Sequence, residues 1–295
     1  MKGQPDYVDA EALLAVIEVA LDEDVGTGDI TTEATVGPDV HAEARFLAKA
    51  DGILAGQAVA EYVFDAVDGA VMCDWNRTDG QTIYSGAVFG TASGRARSLL
   101  TAERLVLNVM QRMSGIATAT RRFVDAVHGY PARILDTRKT APGLRLLDKW
   151  AVRLGGGENH RLGLYDMMLI KDNHIAAAGG ITAALEAAHK FRGERDVEIE
   201  IEARTLEDVR EVLDASLADR ILLDNMIAPG ARPDVSLLQS AVELIGGRLP
   251  AEASGNVTLQ TVKAIARTGV SYISCGALTH SVEALDISLE MRLRA

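Results

Sequence analysis

Ile221-Leu222-Leu223-Asp224-Asn225 reads as a buried apolar strand that ends in an acid and an amide. Between residues 132 and 277 the same course runs six times: a short apolar stretch, a polar or charged residue at its end, then an amphipathic helix. The ends are Asp136-Thr137-Arg138-Lys139, Lys171-Asp172-Asn173-His174, Glu200-Ile201-Glu202, Asp224-Asn225, Glu252-Ala253-Ser254-Gly255 and Ser274-Cys275-Gly276. A helix between consecutive strands is the usual parallel crossover, so residues 133–136, 167–170, 197–201, 220–223, 248–251 and 272–274 are predicted to be parallel strands. In a barrel of such strands the polar ends converge on one rim, where barrel enzymes keep their active sites. Six strands fall short of the eight of a full barrel, which predicts an incomplete α/β barrel, with a doubly wound sheet as the alternative.

Upstream the pattern changes. Residues 8–22 carry a helical period (Leu13, Leu14, Ile17, Leu21). Runs 42–48, 70–75 and 87–92 alternate between Asp-Gly and Ser-Gly turns, as antiparallel strands do. A helix over 99–113 is expected to stop at Ser114-Gly115, and a second, over 117–127, leads into the repeats. Further helices are expected at 181–191, 206–213, 235–245 and 259–267, and a last one at 282–293. The expected division is therefore an α+β sheet domain over 1–115 and an α/β barrel over 116–295, with the C-terminal helix 282–295 packing back on the first domain.

A chain of 295 residues that is 48% hydrophobic and 4% aromatic fits an Ala/Leu/Val-packed α/β protein. No apolar run reaches the length of a membrane span and no signal-peptide pattern opens the chain, which predicts a soluble cytoplasmic protein. Cys73 and Cys275 are too few for a disulfide framework or zinc site. A net charge of −12 speaks against nucleic acid as a partner. Yet residues 133–171 hold eight Lys/Arg against four acids, as a pocket for a small, highly charged anion requires. Charge on the surface of a helix over 142–154 accounts for Arg145, Lys149 and Arg153, but not for Arg138, Lys139, Arg161 and Lys171 at turns and strand ends.

Val197-Glu198-Ile199-Glu200-Ile201-Glu202 puts three carboxylates on one strand face. Glu202, nearest the C-terminal end, is the one expected at the mouth, with Glu200 as the lesser candidate; an edge strand with a solvated acidic face is the alternative. Glu202 and Asp224 together can hold Mg²⁺ through water. Gly155-Gly156-Gly157 ahead of Asn159-His160-Arg161 reads by itself as a loop more often than as an anion nest, whereas Ser254-Gly255-Asn256 and Gly276 ahead of Ser281 offer backbone N–H groups near a helix start for phosphate. The chain has no GxxxxGK[ST], no GxGxxG after a strand and no nucleophile elbow, so catalysis is expected to rest on charge placement.

Three stretches carry a specific resemblance: Asp136-Thr137-Arg138-Lys139-Thr140-x-Pro142-Gly143-Leu144-Arg145, Gly155-Gly156-Gly157-x-x-His160-Arg161-x-Gly163-Leu164 and Leu169-Ile170-Lys171-Asp172-Asn173-His174. They resemble quinolinate phosphoribosyltransferase (nicotinate-nucleotide pyrophosphorylase, carboxylating). The likeness extends to Glu23-Asp24-Val25-Gly26, Glu103-Arg104, Ser114-Gly115-Ile116, Leu223-Asp224-Asn225-Met226 and Gly276-Ala277-Leu278-Thr279-His280-Ser281.

The resemblance implies an N-terminal open-faced α+β sandwich, an incomplete barrel, and a homodimer, or a higher oligomer, with shared active sites. It implies phosphoribosyl transfer from 5-phosphoribosyl-1-diphosphate to quinolinate with Mg²⁺, giving nicotinate mononucleotide, diphosphate and CO₂ in NAD biosynthesis. By motif, Arg138, His160 and Arg161 bind quinolinate, with Arg104 from the partner subunit. Thr137, Lys139 and Lys171 line the anionic pocket, Glu202 and Asp224 the ribose and metal side, and Ser254, Gly255, Gly276 and His280 the phosphate. Lys139, Lys171, Glu202 and Asp224 are the implied catalytic set. Asn256 stands where the family often has a second glycine, a position asparagine tolerates in the left-handed region. Rival readings are a Schiff-base aldolase on Lys171, the related protein of molybdenum transport, and an anion-binding barrel without turnover.

Overall fold

In the computed structural model residues 5–228 and 233–293 are described. The chain divides into two compact units: Met1–Arg121 with Thr140–Gly156 and Thr279–Ala295, and Arg122–Lys139 with Gly157–Leu278. In the first, α1 (Ala10–Asp24) and α2 (Ile30–Thr35) are capped by Asp9 and Asp29, whose side chains accept from backbone N–H groups that a helix start leaves unpaired. The strands β1 (His41–Ala48), β2 (Gly52–Ile53), β3 (Met72–Trp75), β4 (Thr82–Ile83) and β5 (Val88–Arg95) follow, with α3 (Gln57–Val67) after β2 and the long α4 (Ala96–Ala126) after β5. Phe46, Trp75 and Phe89 pack against one another, with centroids of Phe46 and Trp75 4.8 Å apart. The alternation of β1, with Ala42, Ala44, Phe46 and Ala48 buried, gives the sheet an apolar face.

The second unit takes β6 (Arg133–Leu135), β7 (Met168–Ile170), α6 (Asp172–Ala178), α7 (Ile181–Arg192), β8 (Ile199–Ala203), α8 (Leu206–Ala215), β9 (Arg220–Asp224), α9 (Ser236–Ile245), β10 (Ala251–Ser254), α10 (Val262–Arg267) and β11 (Tyr272–Ser274). The helix α5 (Arg145–Leu154) between β6 and β7 belongs to the first unit; α11 (Ala277–His280) and β12 (Ile287–Leu293) end the chain. Among the described residues the six strands of the second unit pair in parallel in the order β6-β11-β10-β9-β8-β7, and β6 and β7 do not pair with each other. An incomplete barrel, not a doubly wound sheet, is the architecture. The residues Ile199, Ile201, Ile221, Leu223, Ala253 and Ile273 alternate with the charged ones and are fully buried. Among the described residues no helix is long and apolar enough to cross a membrane.

Four expectations are corrected. The two helices at 99–113 and 117–127 are one helix, α4. Ser114 and Gly115 are not a stop: the Ser114 hydroxyl bonds the N–H and C=O of Ala55, and a Cβ at Gly115 would lie 2.2 Å from the Glu283 carbonyl. Small residues there admit neighbouring backbone. The expected helix 282–293 is β12 over its second half, with 294–295 outside the described residues. Ile287, Leu289 and Met291 carry a period of two, and β1 supplies the antiparallel partner for their backbone.

The strands expected at 197–201 and 248–251 run two or three residues later. Pro250 has no N–H to give a ladder, and the shift places Glu202 and Glu252 inside strands. Lys149, taken for surface charge, is fully buried, as is Asp148, which holds Arg112 through bonds of 2.7 and 2.8 Å. Arg153 is exposed as expected.

Candidate active site

Parallel pairing brings the ends of the strands together. Ser254 stands opposite Asp224, Ala203 opposite Leu223, and Ser274 opposite Leu135. A cavity of about 330 Å³ opens there, its walls carrying the four cations Arg138, Lys139, Arg161 and Lys171 together with Asp224 and Glu252. Thr137, His160 and Ser254 complete the predicted residues on the wall, beside Leu169, Leu222 and Ser274. Leu169, Lys171, Leu222, Asp224, Glu252, Ser254 and Ser274 share one parity on their strands, so period-two alternation aims them all at the same space.

Glu202 is 5% exposed and does not line the cavity itself. The alternative of a solvated acidic edge fails, because β8 lies between β7 and β9 and Glu200 and Glu202 are both buried. Burial first, and Asp224 second, push the Glu202 carboxyl above its ordinary value. Arg204, two residues on and of the same parity, reaches back with Nε 2.8 Å from Glu202, Nη2 3.0 Å from Asp172 and 3.7 Å from Asp224. That guanidinium ties three acids at the rim and was not among the predicted residues. The period-two parity with Glu200 and Glu202 was the available signal.

His160, on the cavity wall, is buried. Its Nε2 lies 2.9 Å from Glu200 Oε2 and 3.5 Å from Glu252 Oε2, and its Nδ1 accepts from the Arg161 backbone N–H at 2.8 Å. Burial drives both acids up to about 7, with Glu200 adding to the effect on Glu252. Arg220 sits 3.4 Å from Glu252 and stacks over the Tyr272 ring at 4.2 Å. Fully buried Asp136 accepts from His160 N–H at 3.0 Å and from Asn159 Nδ2 at 2.5 Å, which pins the loop that delivers Arg161. Burial lowers the Arg161 guanidinium, and Arg138 nearby adds to that.

At Gly255 and Asn256 the backbone is left-handed. Gly255 has φ +85° and Asn256 φ +52°, and a Cβ on Gly255 would lie 2.2 Å from Asn225 Oδ1. Asn256 accepts this geometry and donates its Nδ2 to the Ile227 carbonyl at 3.0 Å. Gly276 follows β11, and Gly255 and Gly276 are beside the cavity residues in sequence without lining the wall. Arg104, exposed on α4, and His280, the last residue of α11, belong to the first unit. Cys275 is buried with Sγ 3.7 Å from the Val257 carbonyl.

Two family models match nearly the whole chain: the quinolinate phosphoribosyl transferase N-terminal domain over residues 29–114 and its C-terminal domain over 116–290. A quinolinate phosphoribosyltransferase [decarboxylating] from Nicotiana tabacum is 54% identical over 95% of this chain and 82% of its own length. A nicotinate-nucleotide pyrophosphorylase [carboxylating] of Arabidopsis thaliana, named as chloroplastic, matches to the same extent. The solved structure of NadC from Streptococcus pyogenes superposes with a TM-score of 0.91 at 36% identity, covering 98% of this chain and 99% of that one. With its motifs in order, its fold shared and its cations gathered at one barrel mouth, this chain belongs to the quinolinate phosphoribosyltransferase family.

Proposed function

We infer that this chain transfers the phosphoribosyl group of 5-phosphoribosyl-1-diphosphate to the ring nitrogen of quinolinate and releases CO₂, yielding nicotinate mononucleotide and diphosphate for NAD biosynthesis. The observation that carries it is the meeting of Arg138, Lys139, Arg161 and Lys171 with Asp224 in one cavity. Quinolinate has two adjacent carboxylates, which suit the planar fork of arginine, whereas phosphate oxygens accept the point charge of lysine. We assign Arg138 and Arg161 to quinolinate, and Lys139 and Lys171 to the anionic groups of both substrates, with Thr137 bracing the turn by accepting from Lys139 N–H. Positive charge develops at ribose C1′ as the bond to diphosphate breaks, and Glu202 and Asp224 stand to stabilise it. Ser254, Gly255, Gly276 and His280 are our assignment for the 5-phosphate. Once the ring nitrogen is cationic, the bonding pair of the departing carboxylate can rest on the adjacent carbon, which then takes a proton. The chain needs mainly to orient the intermediate and keep water away.

Mg²⁺ fits the donor set. Glu202, Asp224 and Asp172 are hard oxygen ligands close enough that one guanidinium, Arg204, reaches all three, and burial first and Asp224 second push Glu202 up. Bound there, Mg²⁺ would neutralise diphosphate charge as that group leaves. We further propose a homodimer in which Arg104 completes the site of a second copy. Mixed dimers of Arg104→Ala and Lys171→Ala protomers should regain activity that neither variant shows alone. A cytoplasmic location is our reading from an acidic chain whose two cysteines are both free.

The deciding assay combines the protein with both substrates and Mg²⁺ and follows nicotinate mononucleotide and CO₂. No product from a folded wild-type protein overturns the reading. A Schiff-base lysine needs a desolvated amine, and Lys171 is exposed; borohydride trapping of a carbonyl substrate on Lys171 would revive that alternative.

A further inference from the structure

We propose that Glu252, with Glu200, holds His160 as a neutral, Nε2-protonated imidazole whose work is to position Arg161, so that His160 is not a cationic ligand of quinolinate. The inference rests on the assignment of Arg161 to quinolinate. Both ring nitrogens of His160 are committed. Nδ1 accepts the Arg161 N–H at 2.8 Å, so its lone pair is in use and it bears no proton. The proton is therefore on Nε2, which faces Glu200 Oε2 at 2.9 Å and Glu252 Oε2 at 3.5 Å. A second proton on Nδ1 would remove the acceptor that the Arg161 backbone uses.

The surroundings make this arrangement rigid. Glu200 and Glu252 are fully buried, and Arg220 comes from below with Nη1 3.4 Å from Glu252 and Nη2 3.2 Å from Glu198. Asp136 grips the His160 backbone N–H from the other side at 3.0 Å. The ring is thus clamped between β8 and β10, which flank β9, and the loop that carries Arg161, whose Nη1 bonds the Met167 carbonyl at 3.1 Å. The ligand atoms of His160, Glu200 and Glu252 also lie within 4.8 Å of one another, a spacing a cation can use. A cation would have to displace the Nε2 proton and share Glu252 with Arg220, so the proton and the guanidinium already occupy that role. Leaving either acid without a partner in this dry layer would be costly.

The test uses ¹⁵N-labelled full-length protein and two-bond ¹H–¹⁵N correlations, with His160 assigned by its loss in His160→Gln. We expect His160 to hold the Nε2–H tautomer between about pH 6.5 and 8, a range in which an unconstrained histidine changes charge, and to keep it when quinolinate alone is added to saturation. An imidazolium, an Nδ1–H form, or a change of form on adding quinolinate overturns the proposal. In steady state, Glu252→Ala should raise KM for quinolinate about tenfold by misplacing Arg161 and leave KM for 5-phosphoribosyl-1-diphosphate within about twofold. Glu252→Gln, which keeps an acceptor oxygen, should restore most of the loss. Equal impairment in Gln and Ala, or equal rises in both KM values, also overturns it. Wild-type protein that shows the expected tautomer but forms no nicotinate mononucleotide would instead refute the functional assignment.

Discussion

Two pairs of acids stand on β8, β9 and β10 one layer apart, and their surroundings diverge. Glu200 and Glu252 lie in the floor, fully buried, against His160 and Arg220. Glu202 and Asp224 lie a step nearer the mouth, where Arg204, half exposed, spans them together with Asp172. Along β8 the two glutamates share a face and differ by one repeat of the pleat. In the floor the acids are paired with buried groups; at the rim their partner is a half-exposed arginine. Depth in the barrel, not residue type, separates the two environments.

The largest effect should come from the rim. Arg138→Ala and Lys171→Ala each remove a charged contact worth about 2–5 kcal/mol, which lowers kcat/KM by roughly 30- to several thousand-fold. Circular dichroism should stay native and the unfolding midpoint should move little. A large loss of stability in either variant would erase the contrast with the floor. Asp224→Asn should raise the Mg²⁺ concentration needed for half-maximal rate by about tenfold, a shift Arg138→Ala should lack. If both variants shift alike, Asp224 is not on the metal side.

The floor should answer in stability. At pH 8, above the value near 7 at which Glu252 ionises, Arg220→Met leaves the carboxylate buried without its cation, and breaking a buried pair costs about 3–5 kcal/mol, measurable in urea. The pH response has a definite sign. Glu252 titrates near 7 when folded against an ordinary 4.5, so between those values the folded state holds the extra proton and stability falls as pH rises. Glu252→Gln removes that slope, gaining on wild type between pH 5 and pH 8 by about 1–3 kcal/mol. Parallel stability profiles for the two proteins would show that Glu252 is not the group responsible. The smallest effect belongs to Asn256→Gly, which relieves the left-handed φ of +52° at a cost in unfolded-state entropy, a net change within about 1 kcal/mol. KM for 5-phosphoribosyl-1-diphosphate should change by no more than about threefold. A larger rise would give the asparagine side chain a direct role in holding phosphate.

The strand ends were legible because alternation and short apolar runs are local signals. Arg138, Lys139, Arg161, Lys171 and Asp224 could be placed at one mouth once parallel order was inferred, and the cavity gathers them. Arg204 was missed though its parity with Glu202 was visible, because a residue just past a strand reads as loop surface. Lys149 was misread for a related reason: a charge on an amphipathic helix is usually solvated, and only packing buries it. Ser114-Gly115 carries the same residue types as a helix stop, and only the approach of Ala55 and Glu283 shows that the glycine makes room.

By itself, the amino-acid order determined which residues alternate, where apolar runs end in charge, and which family the motifs spell, since each depends on near neighbours along the chain. The tertiary structure alone decided that β12 is a strand on β1, that α4 runs unbroken, and that His160 spends both ring nitrogens on Glu200 and on the Arg161 backbone. A hydrogen bond's partner and a carboxyl's affinity for its proton are set by groups brought close in space, and Glu200 lies 40 residues from His160 along the chain.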